Sequence, residues 1–229
     1  MFCRILAGLL LLTAACVAQN TVRAQVAIKR NVPGKGNNAG VVVWLTPLNP
    51  SEPATARPAQ RYRLAQKNKQ FEPHLLVLPV GSAVEFPNHD PFFHNVFSLY
   101  KGKRFDLGLY EAGESRSVHF DKPGISFIFC NIHPEMSAVV MAMSTPFYDV
   151  SNAAGGVAIQ NVPPGRYRAE VWYERSSTEA LQPLAREITV NGDASLGNIT
   201  IPETIEGPLQ HKNKFGKDYD KMNPSYEPK

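Results

Sequence analysis

The sequence predicts an all-β fold, on three observations. Apolar residues gather in short β-branched and aromatic runs, not in long amphipathic helical stripes. Gly, Pro and Asn break those runs at close intervals. No helix-and-strand alternation of the α/β kind and no internal repeat occurs along the 229 residues.

The first element is not a strand. Arg4 precedes an apolar run, Ile5–Leu12, and a small-residue stretch from Thr13 to Ala18, which together read as a secretory signal peptide over residues 1–24. Cleavage is expected after Ala18 or Ala24. The run is too short to span a bilayer. Cys16 offers a second option, a lipoprotein anchored there, and only that option places the chain at a membrane. Either way the protein is expected outside the cytoplasm, periplasmic or secreted. Removing Arg4 and Arg23 takes the formal charge from +4 to +2, an ordinary surface and not a nucleic-acid-binding one.

The mature chain then reads as a succession of strands. Gln25–Lys29 comes first, followed after the turn Pro33-Gly-Lys-Gly36 by the apolar run at Val41–Thr46. Three prolines (Pro50, Pro53, Pro58) mark Asn49–Gln60 as a long loop or linker. Leu75–Leu78, Ala83–Pro87, Ser117–Phe120, Ser126–Cys130 and Ala138–Met143 form a middle set. Val157–Gln160, Tyr167–Tyr173, Arg186–Val190 and Ser195–Ile201 form the last. The tail, Glu203–Lys229, is polar and poor in aliphatics and lacks a core of its own, although Tyr219 and Tyr226 can dock on the body.

Loss of Cys3 and Cys16 with the signal leaves Cys130 as the only thiol of an exported chain. An oxidising compartment favours paired cysteines, so a single one is either a small buried hydrophobe or a metal thiolate. The surrounding segment, Ile125-Ser-Phe-Ile-Phe-Cys130-Asn-Ile-His133-Pro-Glu-Met136, favours the second. It reads as a strand ending at Cys130, a tight loop holding His133 and Met136, and another strand. Thiolate, imidazole and thioether suit copper in both oxidation states. His94, in Asn88-His-Asp-Pro-Phe-Phe-His-Asn-Val-Phe97, follows another strand and turn and is the candidate fourth ligand. Two His, one Cys and a weak axial Met make the blue-copper set.

These residues carry a resemblance. From about Lys69 to Met143 the chain resembles cupredoxins of the plastocyanin, pseudoazurin and amicyanin group. The matching pattern is Phe71-x-Pro73, Val80-Gly81-x-x-Val84-x-Phe86-x-Asn88, His94-Asn95-Val96, Gly124, and Cys130-x-x-His133-x-x-Met136. Two residues between His and Met is the amicyanin spacing. The resemblance implies a Greek-key sandwich over residues 66–144 and one type 1 copper ion on His94, Cys130, His133 and Met136. It implies that Asn95 hydrogen-bonds across to the Cys130 loop. It also implies that electrons enter and leave singly through the edge of His133, within an apolar patch of Phe92, Phe93 and Pro134 where a redox protein partner docks. Of the remaining histidines, His74 is expected to pack, with an accessory role as the alternative. His89 is expected in solvent, His211 lies in the polar tail, and His119 is expected on the outer face of its strand.

A second resemblance covers Thr145 to Trp172, where Gly155-Gly156 and Asn161-Val-Pro-Pro-Gly165 form tight turns. It is similar to the later half of transthyretin-like or carboxypeptidase-regulatory-like sandwiches. Residues 25–60 and 145–202 would be the halves of one such small sandwich, with the cupredoxin unit inserted between them. The alternative gives residues 25–48 to the cupredoxin as its first strands. The combined layout is similar to bacterial methylamine-utilisation-type proteins.

The function expected on this reading is single-electron transfer by an exported blue copper protein. The alternative is a periplasmic copper-handling or envelope scaffold module with no electron-transfer role. An enzyme would need a further copper on extra histidines, often a His-x-His pair, and the sequence contains no such pair.

Overall fold

The computed structural model describes residues 20–30, 36–49, 57–99, 102–205 and 211–219. The readings made on residues 1–19, Cys3 and Cys16 included, on most of the proline-rich loop and on Tyr226 lie outside the described residues. The fold is all-β, with 17 strands and one four-residue helix among the described residues. None of the described helices is long and apolar enough to cross a membrane.

Two strands come first, β1 (Asn20–Lys29) and β2 (Val42–Pro47). Three short ones follow, β3 (Arg61–Arg63), β4 (Ala65–Lys67) and β5 (Gln70–Glu72). The middle of the chain supplies β6 (Leu75–Pro79), β7 (Ser82–Pro87), β8 (His94–Ser98) and β9 (Phe105–Tyr110). It continues with β10 (Ser115–Phe120), β11 (Gly124–Cys130) and β12 (Ser137–Met143). The last part holds β13 (Tyr148–Val150), β14 (Gly156–Val162) and β15 (Gly165–Trp172). Helix α1 (Thr178–Leu181), capped by the Ser177 side chain, leads to β16 (Arg186–Val190) and β17 (Ala194–Pro202).

Pairing divides these strands into two sets. β1 lies between β14 and β17, and β2 lies between β13 and β15, with β16 beyond. All the partners of β1 and β2 therefore come from residues 148–202. Their inward faces enclose one core of Val22, Val26, Val41, Val43, Leu45, Ile159, Tyr167, Val190 and Ile201, among others. β1 shows why the chain folds this way: Val22, Ala24, Val26 and Ile28 are buried while Arg23, Gln25, Ala27 and Lys29 are exposed, the two-residue period of a strand with one wet face. The strand starts at Asn20, five residues earlier than its apolar residues alone indicated, so the possible cleavage point at Ala24 falls inside it.

The middle set forms a three-stranded sheet (β10-β7-β3) and a five-stranded one (β6-β12-β11-β8-β9). Between them lies a second core with Leu64, Phe71, Leu78, Phe86, Val96, Tyr110, Phe120, Ile128, Cys130, Met136 and Val140. β4 and β5 make a hairpin whose turn, Asn68-Lys69, has both residues at positive φ (54° and 55°), the pattern of a type I′ turn.

β12 joins the two sets. Ala138, Val140 and Ala142 face the second core, whereas Met141 and Met143 face Val42 and Tyr148, with Trp44, Val77, Ile125 and Trp172 around them. A strand buried on both faces needs a continuous apolar run, which Ala138-Val-Val-Met-Ala-Met143 provides.

Candidate metal centre

Two strand ends and one loop bring the site together. His94 opens β8, Cys130 closes β11, and His133 lies in the short loop between β11 and β12. Antiparallel pairing of Cys130 with Val96 sets the ends of β8 and β11 side by side.

The loop is folded on itself: the Met136 N–H donates to the His133 carbonyl (3.0 Å), and the Cys130 N–H to the Met136 carbonyl (3.3 Å). Met136 is fully buried in the same core cluster as Cys130.

Cys130 Sγ lies 3.7 Å from His94 Nδ1 and 3.6 Å from His133 Nδ1, and the two Nδ1 atoms are 3.1 Å apart. A point equidistant from these three atoms is about 2 Å from each, the length of a bond from imidazole or thiolate to a first-row metal. The donor set therefore fits one soft or borderline ion.

Protonation supports the same reading. His94 Nε2 lies 2.8 Å from Asp90 Oδ2, so that nitrogen carries the proton and Nδ1 presents a bare lone pair. Burial pushes both imidazole pKa values below their ordinary 6.5, keeping the rings neutral as ligands must be. Burial pushes the Cys130 thiol up, against the backbone N–H groups of Asn95, Ile132 and His133, which favour the thiolate. Metal entry would thus expel the thiol proton.

Asp90 is itself fixed. Its carboxylate accepts from the N–H groups of Asn68 (2.6 Å) and Lys69 (3.0 Å) at the β4–β5 turn, and its own N–H donates to Asn88 Oδ1. The Asn88 side-chain amide also donates to the Phe92 carbonyl (2.8 Å), closing the segment that ends at His94. Sequence reasoning quoted Asn88 within a motif and passed over Asp90. The signal available was a carboxylate four residues before the candidate ligand His94, in a turn begun by Asn88.

Asn95 differs from expectation. Its side-chain amide donates across to Asp106 on β9 (2.7 Å), its Oδ1 is buried without a partner, and its backbone N–H, not its side chain, serves the Cys130 thiol. Successive side chains of a strand point to opposite faces, so with His94 turned toward Cys130 and His133 the Asn95 side chain is turned the other way, where Asp106 meets it.

Phe92 is half-buried, its ring 5.2 Å from that of His94 and 5.4 Å from that of His133. Phe93 is 50% exposed, and His133 and Pro134 are half-buried. Ile132, beside His133, is also exposed and was not anticipated.

His211 is not left in solvent: residues 211–219 lie against the ligand loop. The His211 ring stacks on Phe129 (3.8 Å) and its Nε2–H donates to the Pro134 carbonyl (3.0 Å), while the Tyr219 hydroxyl donates to the Cys130 carbonyl (2.8 Å). His74 joins the two strand sets, its Nε2 2.6 Å from Glu174 and its Nδ1 3.0 Å from the Ser137 carbonyl. His89 and His119 are exposed.

No family model matches the chain, and no curated protein does. Solved cupredoxin structures are similar to part of it. A copper-containing nitrite reductase from Thermus scotoductus is 24% identical over 44% of this chain, with a TM-score of 0.36, and the match spans 26% of the reductase chain. A purple cupredoxin from Nitrosopumilus maritimus is 25% identical over 38% of this chain and all of its own, with a TM-score of 0.33. Amicyanin from Paracoccus versutus is 20% identical over 43% of this chain and 97% of its own, with a TM-score of 0.34.

Proposed function

We propose that this chain is an exported electron carrier in which His94, Cys130 and His133 would hold one copper ion, with Met136 as a weak fourth ligand. The observation that carries the reading is the buried His94–Cys130–His133 triangle, in which Asp90 takes the second nitrogen of His94 and leaves Nδ1 free to ligate. When bound, copper supplies a one-electron couple. The chain's own residues hold the donor atoms, keep water out and limit rearrangement. His94 and Cys130 are fully buried at strand ends, and the loop bearing His133 is cross-bonded by its own backbone.

His133, less buried than His94, is the proposed electron port. Phe92, Phe93 and Pro134 around it are the proposed contact for a redox protein partner. The paired segments 20–47 and 148–202 are proposed to act as a regulatory-like sandwich carrying the copper unit as an insertion. The N-terminal segment is proposed to direct export, with anchoring at Cys16 as the alternative.

The test is spectroscopic. Copper-loaded protein should show an intense visible absorption and a narrow Cu(II) hyperfine splitting, and Cys130→Ser should abolish both. A colourless protein that nonetheless retains Cu(II) would overturn the blue-site reading. A copper-handling role, in which the ion is cargo, predicts loss of the metal on reduction. Reversible reduction with full retention decides for electron transfer.

A further inference from the structure

The proposed copper site explains the donors that face inward but not what holds the ligand loop from outside. β11 presents Ile128 and Cys130 to the core, so Phe129 points to the opposite face, and the Phe97 ring lies 6.0 Å from it. Two adjacent aromatic rings on an outer sheet face would ordinarily be wet, yet Phe129 is 2% exposed and Phe97 1%. The His211 ring helps cover them, stacked on Phe129 and 6.5 Å from Phe97.

The segment carrying His211 is shaped for this. Asn213 Oδ1 accepts from the N–H groups of Phe215 and Lys217, the Asn213 N–H donates to the Lys217 carbonyl, and Gly216 completes the turn at φ +75°. This compact turn then reaches the ligand loop at three places. Tyr219 donates to the Cys130 carbonyl, the Lys214 N–H donates to Asn131 Oδ1 (2.9 Å), and His211 donates to the Pro134 carbonyl. A fourth bond reaches β9, the strand beside the one that carries His94: the Lys214 ammonium lies 2.7 Å from Asp106, whose other oxygen accepts from Asn95, the neighbour of His94.

We propose that residues 211–219 form a strap that positions the copper-binding loop, with Tyr219 and His211 as its positioning residues. To the loop's own backbone bonds the strap adds bonds at Cys130, Asn131 and Pro134, which hold the donor atoms near their bound places before metal arrives. The gain is preorganisation: rigidity already present in the free protein need not be supplied on binding, and it limits movement when the charge of the ion changes. The strap itself is read from contacts within the chain; its effect on copper rests on the function proposed above.

Two measurements separate these claims. Amide hydrogen exchange of the metal-free protein reads the strap alone. In Tyr219→Phe, which keeps the ring and removes one hydroxyl, exchange across residues 131–136 should rise roughly 2- to 10-fold, the worth of one net hydrogen bond. Exchange in β1 and β15 should not change. A chain ending at residue 205 should show a larger rise at the same amides. Unchanged exchange there in both variants would overturn the proposal. In copper-loaded protein, Tyr219→Phe should shift the visible band ratio and the reduction potential. Faster loop exchange with an unaltered spectrum and potential would overturn the positioning role. A wild type with no visible band would count against the copper reading and leave the exchange result to judge the strap.

Discussion

His94 Nε2 donates to Asp90 Oδ2 across 2.8 Å, with the imidazole wholly buried and the carboxylate 5% exposed. Four residues separate the two, and the turn between them is closed by Asn88. The carboxylate fixes both the tautomer and the tilt of the ring, and the two N–H groups of the β4–β5 turn fix the carboxylate.

Asp90→Ala should therefore lower copper affinity by about 10- to 100-fold, the usual cost of losing such a partner behind a ligand histidine. Asp90→Asn should fall between Ala and wild type, because its side-chain oxygen still accepts from Nε2. Competition against a chelator of known affinity measures both.

Met136 can be tested for packing and ligation separately. It is fully buried. Met136→Ala should cost the metal-free protein about 2–5 kcal/mol in denaturant unfolding, whereas Met136→Leu should cost under about 1.5 kcal/mol. If the sulfur also ligates, the Leu variant should nonetheless show a changed visible spectrum and a shifted potential. An unchanged spectrum in Met136→Leu would limit Met136 to the core.

His74 and Glu174 give a pH-dependent link between the two strand sets. The hydrogen bond from Glu174 raises the His74 pKa above its ordinary 6.5, against the opposing effect of burial. A group whose folded pKa is raised stabilises fully below its unfolded pKa, and that contribution is lost as pH rises through the folded value. In metal-free protein, the melting-temperature advantage of wild type over Glu174→Gln should be larger near about pH 5.5 than near about pH 8.5. The pair is partly exposed, so high salt should shrink the difference.

β1 predicts where the chain can be shortened. Val22 is fully buried and Ala24 nearly so. Protein beginning at residue 19 should keep full stability, whereas protein beginning at residue 25 loses a buried valine worth about 1.5–3 kcal/mol, together with the pairing of Val22 and Arg23 with β14 and β17. Thermal unfolding of the two purified forms measures this. Equal melting temperatures would show that the first half of β1 contributes nothing.

Eleven strands were legible because each alternates, or runs continuously apolar, between turn residues. β3, β4, β5, β8, β9 and β13 were not; β4, β5 and β13 are three residues long, and the others differ in their reasons. β3 is an Arg-Tyr-Arg edge strand held by parallel pairing with β7 and by Glu85, neither of which is local in sequence. β8 is buried on both faces yet begins His-Asn, so it shows no apolar period. β9 contains Gly108 at φ +68° and pairs irregularly with β8.

The sequence by itself determined which donor types the structure brings together, one thiol and two imidazoles. Cys130 ends a strand, His133 and Met136 follow it within six residues, and His94 follows another strand and turn, because donor type and spacing are local properties of a chain. The strand character of the two cores followed for the same reason, from the two-residue period. Only the tertiary structure decided what supports the donors. Asp90 rather than the Asn95 side chain serves the ligand set, β1 and β2 pair with strands more than a hundred residues away, and the polar tail closes over Phe129 and grips the loop. The sheet and tail contacts join groups distant in sequence, which leave no period to read along the chain, whereas the Asp90–His94 contact is local but carries no apolar pattern to mark it.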